Sequence, residues 1–209
     1  MLFNRSKSRF GAVAVVAMAS SATNAAPSVT ESAELEEIVV TASLRQESLA
    51  DFPVSTTVLD SSILESAGVR HFEDAMKLVP NLNWSGATSR PRYFQVRGIG
   101  ELEQYQGAPN ASVGFLVDEI DFSGVGMTAT LWDVDQVEVL RGPQGTRFGA
   151  NALAGLIKIK TREADGTADL RSEVIVGENG IFSAGAAAGG PLGADGERAG
   201  WRASAYWSQ

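Results

Sequence analysis

The chain has 209 residues, a formal net charge of −8, no cysteine, one histidine and 22 glycines. The absence of cysteine rules out disulfides as a source of stability. The acidity argues against nucleic acid as a partner, since that binding rests on phosphate neutralisation, and against a polybasic membrane-surface module.

Arg5, Lys7 and Arg9 precede an apolar run from Phe10 to Ala19 and then small residues through Ala26. This is the pattern of a secretory signal peptide, 1–25, with Thr23 and Ala25 at the small-residue cleavage positions. The apolar run is too short to span a bilayer. Removing its three basic residues takes the charge from −8 to −11, and the exported, acidic, Gly-rich product suits the periplasm or outer membrane. Residues 26–44 form an acidic leader, expected to be disordered, that contains Glu37-Ile38-Val39-Val40-Thr41-Ala42-Ser43. Its consecutive β-branched residues suit either a first strand of the domain or a segment added to a partner's sheet edge.

Residues 45–163 read as one domain. Asp60 is a plausible N-cap for a short helix carrying Ile63, Leu64 and Ala67 and stopped by Gly68. Phe72, Ala75, Met76 and Val79 share one face of a second helix that ends before Pro80. His71 stands at its start as a surface or capping residue, with no cysteine or second histidine to complete a metal site. Trp84 to Pro91 reads as a polar turn region, Tyr93 to Gly98 as a strand ending in Arg97-Gly98, and Ser112 to Val117 as another strand. Ile99–Pro109 and Asp121–Thr128 read as loops. In Gln136-Val137-Glu138-Val139 the period-two alternation predicts a half-buried strand. Arg141-Gly142-Pro143-Gln144-Gly145 breaks it, and a loop of small residues leads to a second alternating strand through Ile157 and Ile159. So many small side chains pack poorly unless another surface comes very close to the backbone.

The run EVLRGPQGTRFGANALAGLIKI closely resembles the closing motif of the plug domain of TonB-dependent outer-membrane receptors, roughly VEVLRGPxxxLYGxxxxGGxINIIT. Phe148 stands at the aromatic position, Ala154 replaces the first glycine of the pair, and Lys158 replaces the usual asparagine. Gly98, Gly142, Pro143, Gly145, Gly149 and Gly155 are the matching plug-motif positions. QESLADFPVSTTV, LVPNLN and FLVDEI resemble other plug segments, and EEIVVTAS resembles the TonB box. The resemblance implies that Glu37 to Ser43 engage TonB, with its inner-membrane energising complex. It also implies that Arg97 and Arg141 pair with glutamates of the receptor's own C-terminal barrel and latch the plug in the lumen. By the same resemblance Tyr105, Gln106, Phe122 and Ser123, in loops that reach the extracellular face, are candidate ligand contacts, with solvated loop residues as the alternative.

In residues 164–209 apolar positions alternate again: Leu170, Val174 and Val176, then Phe182, Ala184, Ala186 and Ala188, then Trp201, Ala203, Ala205 and Trp207. Strands of this kind carry the weak signature of a transmembrane β-barrel, with the edge of a soluble β-domain as the alternative. The expected fold is an α+β plug domain, with a mixed four-stranded sheet, short helices and loops, followed by the first strands of an antiparallel transmembrane β-barrel. Three strands cannot close a barrel, and an open edge in lipid leaves backbone groups unpaired, so the sequence is expected to be part of a longer receptor. The implied function is energy-coupled uptake of a small ligand across the outer membrane, ferric siderophores first, then cobalamin and carbohydrates. A standalone periplasmic binding or regulatory module without a pore is the second reading. No catalytic motif such as GxSxG or HExxH is present, and no resident cofactor or metal is expected.

Overall fold

The computed structural model describes residues 38–42, 47–86, 91–102, 110–125, 130–192 and 199–209. The expected signal segment, most of the acidic leader, Glu37, Ser43, Tyr105 and Gln106 lie outside the described residues. In chain order the first strands are β1 (Val39–Val40), β2 (Glu47–Ser48) and β3 (Ser55–Asp60), followed by the helices α1 (Ser61–Ser66) and α2 (Phe72–Ala75). Next come β4 (Leu82–Ser85), β5 (Tyr93–Val96), β6 (Ile99–Gly100), β7 (Val113–Val117), β8 (Ile120–Asp121) and β9 (Val134–Arg141). A short helix α3 (Gly145–Phe148) precedes β10 (Gly155–Thr161), β11 (Asp169–Val176), β12 (Phe182–Pro191) and β13 (Gly200–Ser208).

The helices form where their caps dictate. The Asp60 carboxylate accepts the Ile63 N–H at 2.8 Å and the Ser62 hydroxyl at 2.6 Å, which starts α1. Gly68, at φ 65, ends the turn. His71 caps α2 by accepting the Glu73 N–H at 3.4 Å, as a capping histidine should, and Glu73 and Asp74 occupy the first turn.

The central sheet runs β3-β9-β10-β7-β8. It is the expected mixed four-stranded sheet, with β10 parallel to β7 and antiparallel to β9, extended by the two-residue edge strand β8. A second sheet, β4-β5-β6, converts part of the expected turn region around Trp84 into a hairpin. On one face of the central sheet Val137, Val139, Ile157, Ile159 and Phe115 pack against Leu64, Phe72 and Ala75 from the helices. Phe72 meets Phe94 and Phe115 edge-on at 5.4 and 5.2 Å, the geometry that aromatic quadrupoles favour. The other face buries Val58, Leu116, Leu140 and Leu156 beneath Val40 and Ala42.

That second layer overturns the half-buried expectation for the central strand. Gln136 and Glu138 are buried along with the valines, and Glu138 is 0% exposed. The reason is the cover supplied by residues 38–42, far away in sequence. A second difference follows Pro143: the stretch expected to be loop turns through α3.

Gly155 explains one of the small residues. A Cβ there would stand 2.8 Å from the Leu140 carbonyl oxygen and 3.0 Å from a Val96 methyl, so backbone approach fixes glycine at the start of β10.

The sheet β11-β12-β13 is antiparallel and inverted relative to a water-soluble sheet. Leu170, Val174, Val176, Trp201 and Trp207 point outward at 42–82% exposure. The opposite face, with Ser183, Gly185, Ala187 and the half-buried Arg171 and Glu173, lies against the preceding domain. Apolar out and polar in is the arrangement of a barrel wall with lipid outside.

Replacing Phe72 by Ala removes the ring shared by both helices and sheet. The expected cost is about 3–5 kcal/mol, measurable as a lowered urea midpoint of the signal-free chain; an unchanged midpoint would contradict the assigned core.

Candidate functional site

The site is built on the second face of the central sheet. Glu138 stands in the middle of β9, flanked by Gln136, with Lys158 directly opposite on β10. A carboxyl group sealed from water needs several hydrogen-bond donors. Glu138 takes them from residues 38–42: its Oε1 accepts the Thr41 N–H at 2.7 Å and the Thr41 hydroxyl at 2.6 Å, and its Oε2 accepts the Ala42 N–H at 2.8 Å. Gln136 donates from the same amide nitrogen to Glu138 at 2.5 Å and to the Val39 carbonyl at 3.2 Å. Lys158 donates to the Thr41 carbonyl at 3.4 Å and to Glu119 at 2.9 Å, with only 5% of its side chain exposed.

Three polar side chains therefore hold a short extended segment by its backbone, while Val40 and Ala42 press into the apolar layer beneath. The segment also pairs in β1–β2, Val39 with Ser48 and Val40 with Glu47. Ile38 is partly exposed. Of the seven candidate TonB-box residues, Ile38, Val39, Val40, Thr41 and Ala42 fall in this docked segment. Glu138, Gln136 and Lys158 were not singled out from sequence. Their signal was parity: they alternate in phase with Leu140 and Leu156, so the face they share carries apolar residues as well.

Of the two arginines expected at strand ends, Arg141 closes β9 and Arg97 follows β5. Arg141 donates to the Thr57 hydroxyl at 2.6 Å and from two nitrogens to the Pro80 carbonyl at 3.1 and 3.3 Å. Burial holds its guanidinium below the ordinary arginine pKa, and the like charge of Arg97 pushes the same way. Arg97 is exposed, at φ 54, with its N–H on the Asn81 carbonyl at 2.9 Å. Among the described residues neither arginine forms an ion pair with a carboxylate. Two like charges, with no counter-charge among the described residues, make this end of the domain attractive to anions.

The remaining motif residues shape the loop between β9 and β10. Gly142, at φ 116, turns the chain out of β9 in a conformation that side chains rarely adopt. Pro143, Gly145 and Gly149 lie exposed around α3, and Gly98, likewise exposed, follows Arg97. Of the two described ligand candidates, Phe122 packs against the first core face. The Ser123 hydroxyl accepts the Phe115 N–H at 3.0 Å. Both have structural work within this chain.

Residues 48–156 match the TonB-dependent Receptor Plug Domain family model. The pesticin receptor of Yersinia pestis is 33% identical over 132 residues, which are 62% of this chain and 19% of that protein. The crystal structure of the ferric yersiniabactin uptake receptor from Yersinia pestis has 29% identity and a TM-score of 0.53, covering 66% of this chain and 22% of that one. The ferripyoverdine receptor of the outer membrane of Pseudomonas aeruginosa shares the fold at 22% identity and a TM-score of 0.66, with 81% of this chain and 22% of that one covered. These relatives are receptors rather than enzymes, and the chain spans about a fifth of their length. The chain is therefore an outer-membrane protein that belongs to the TonB-dependent receptor plug domain family.

Proposed function

We propose that this chain works within a TonB-dependent receptor, as the plug that gates energy-coupled uptake of a ferric siderophore through a β-barrel of about 22 strands. The observation that carries the reading is the docked segment 38–42, whose backbone donors are held by the buried Glu138 carboxylate. The segment Glu37 to Ser43 is the TonB box in this reading. An extended segment bound by its N–H groups is the kind that a partner takes over by strand addition. TonB and Glu138 then compete for the Thr41 and Ala42 N–H groups. When TonB draws the box away, Glu138, Gln136 and Lys158 lose their covering and the second face of the sheet opens to water.

Arg97 and Arg141 supply the other half of the mechanism. Their paired positive charge seeks barrel glutamates, and breaking those pairs lets the plug rearrange. The siderophore assignment is supported by the ferric yersiniabactin and ferripyoverdine receptors among the similar structures. A pore-less periplasmic module, the second reading, would leave Leu170, Val174, Val176 and Trp207 facing water.

Two substitutions test the box. Val40→Pro removes a strand donor and bars strand pairing at that position, and should weaken calorimetric binding of the TonB periplasmic domain to the chain from residue 26 onward roughly tenfold, about 1.4 kcal/mol of lost backbone hydrogen bonding and strand geometry. Binding equal to wild type would remove this segment from consideration. Glu138→Ala, by contrast, should free the segment and tighten the same binding; weaker binding would show that Glu138 does not compete with TonB.

A further inference from the structure

We propose that Asp133 and Arg202 form a second plug-to-wall latch, with the carboxylate on the plug and the arginine on the first barrel strands. Its polarity is opposite to that of the arginine pair at Arg97 and Arg141. The proposal rests on the barrel reading only for the name of the wall, because both partners lie in this chain.

Asp133 sits just before β9 at φ 60, a left-handed conformation that Asp tolerates better than most residues, and is 5% exposed. Its carboxylate accepts the Arg202 Nε–H at 2.7 Å, and its second oxygen accepts the Arg202 Nη2 group, a two-point match of fork to carboxylate. Arg202 spends its remaining nitrogen on Asp169 of β11 at 3.1 Å. Its side chain, 11% exposed, lies over Gly189, where a Cβ would come within 3.4 Å of the guanidinium.

The neighbouring Trp132 seats the same joint. A Cβ on Gly185 would stand 2.8 Å from the indole, so glycine opens a notch in β12 into which the ring fits. Tyr206 stacks on the indole at 5.8 Å, and the Arg171 guanidinium lies 5.1 Å over it. Arg171 also pairs with Glu65 at 2.8 Å, and Arg70 pairs with Glu173 at 2.9 Å.

Position gives the latch its role. Leu64, Leu131 and Val134, which flank these contacts in sequence, belong to the core face beneath the helices, whereas residues 38–42 cover the opposite face of the sheet. A pull on the box therefore bears on one face while the Asp133–Arg202 joint secures the other. The plug opens about a fixed mounting instead of leaving the wall whole.

The test is amide hydrogen exchange on the signal-free chain in detergent, comparing peptides from β13 and β9 in Asp133→Asn, Arg202→Leu and the double variant. Asparagine keeps the left-handed turn and removes the charge. Asp133→Asn should speed β13 exchange roughly tenfold or more with β9 unchanged, as expected for losing charge-assisted hydrogen bonds. The double variant should be no worse than Arg202→Leu alone. Native β13 exchange in Asp133→Asn, or effects that simply add, would overturn the latch. If Arg202→Leu unfolds the chain, shown by fast exchange in β9, Asp133→Asn alone decides. Since TonB plays no part in the measurement, its outcome is separate from that of the box.

Discussion

A carboxylate buried at the centre of a sheet imposes one condition on everything around it: its donors must come from somewhere. Glu138 is fully enclosed, and within β9 only Gln136 is near enough to donate to it. The rest come from Thr41 and Ala42, 97 and 96 positions earlier in the chain. The segment 38–42 and the sheet are thus mutually dependent. The segment has little structure of its own beyond a two-residue pairing, and the sheet's second face would be open without it. Such dependence suits a contact that has to hold and then let go. Each bond is strong when water is excluded, yet withdrawal of the segment lets water reach Glu138, so no charge is left both buried and unpaired.

The plug is divided into two unlike halves by its central sheet. Beneath the helices the core is aromatic and aliphatic, with Phe72, Phe94 and Phe115 in mutual contact. On the other side the layer is thinner and mixes Leu140 and Leu156 with Glu138 and Lys158. A layer held partly by removable polar contacts opens at lower free energy than one held by interlocked rings. The fold thereby directs where the domain can move, before any ligand or partner is considered.

Much of this was legible in the sequence where the signal is local. The Asp60 cap, the Gly68 stop and the inverted alternation of Leu170, Val174 and Val176 each depend on neighbours a few residues away, and each appears in the structure. The run of small residues from Gly149 to Gly155 suggested close approach somewhere, but not that Gly155 is where the Leu140 carbonyl comes near. What could not be read were the long-range pairings. Gln136 and Glu138 in a period-two strand look like a solvent face until the covering segment is known. Asp133 and Arg202, 69 residues apart, look like two unrelated surface charges. Arg97 and Arg141 were visible as strand-end cations, but their mutual proximity belongs to the fold. Gly145, a poor helix former, concealed the turn of α3.

The proposed mechanism requires that Glu138 hold the segment when nothing pulls on it. NMR-detected exchange of the individual Thr41 and Ala42 amides in the native signal-free sequence addresses that directly. Protection approaching that of the β9 amides is the predicted result. Exchange of both at the rate of an unstructured peptide would contradict the docked segment, and with it the competition on which the mechanism rests.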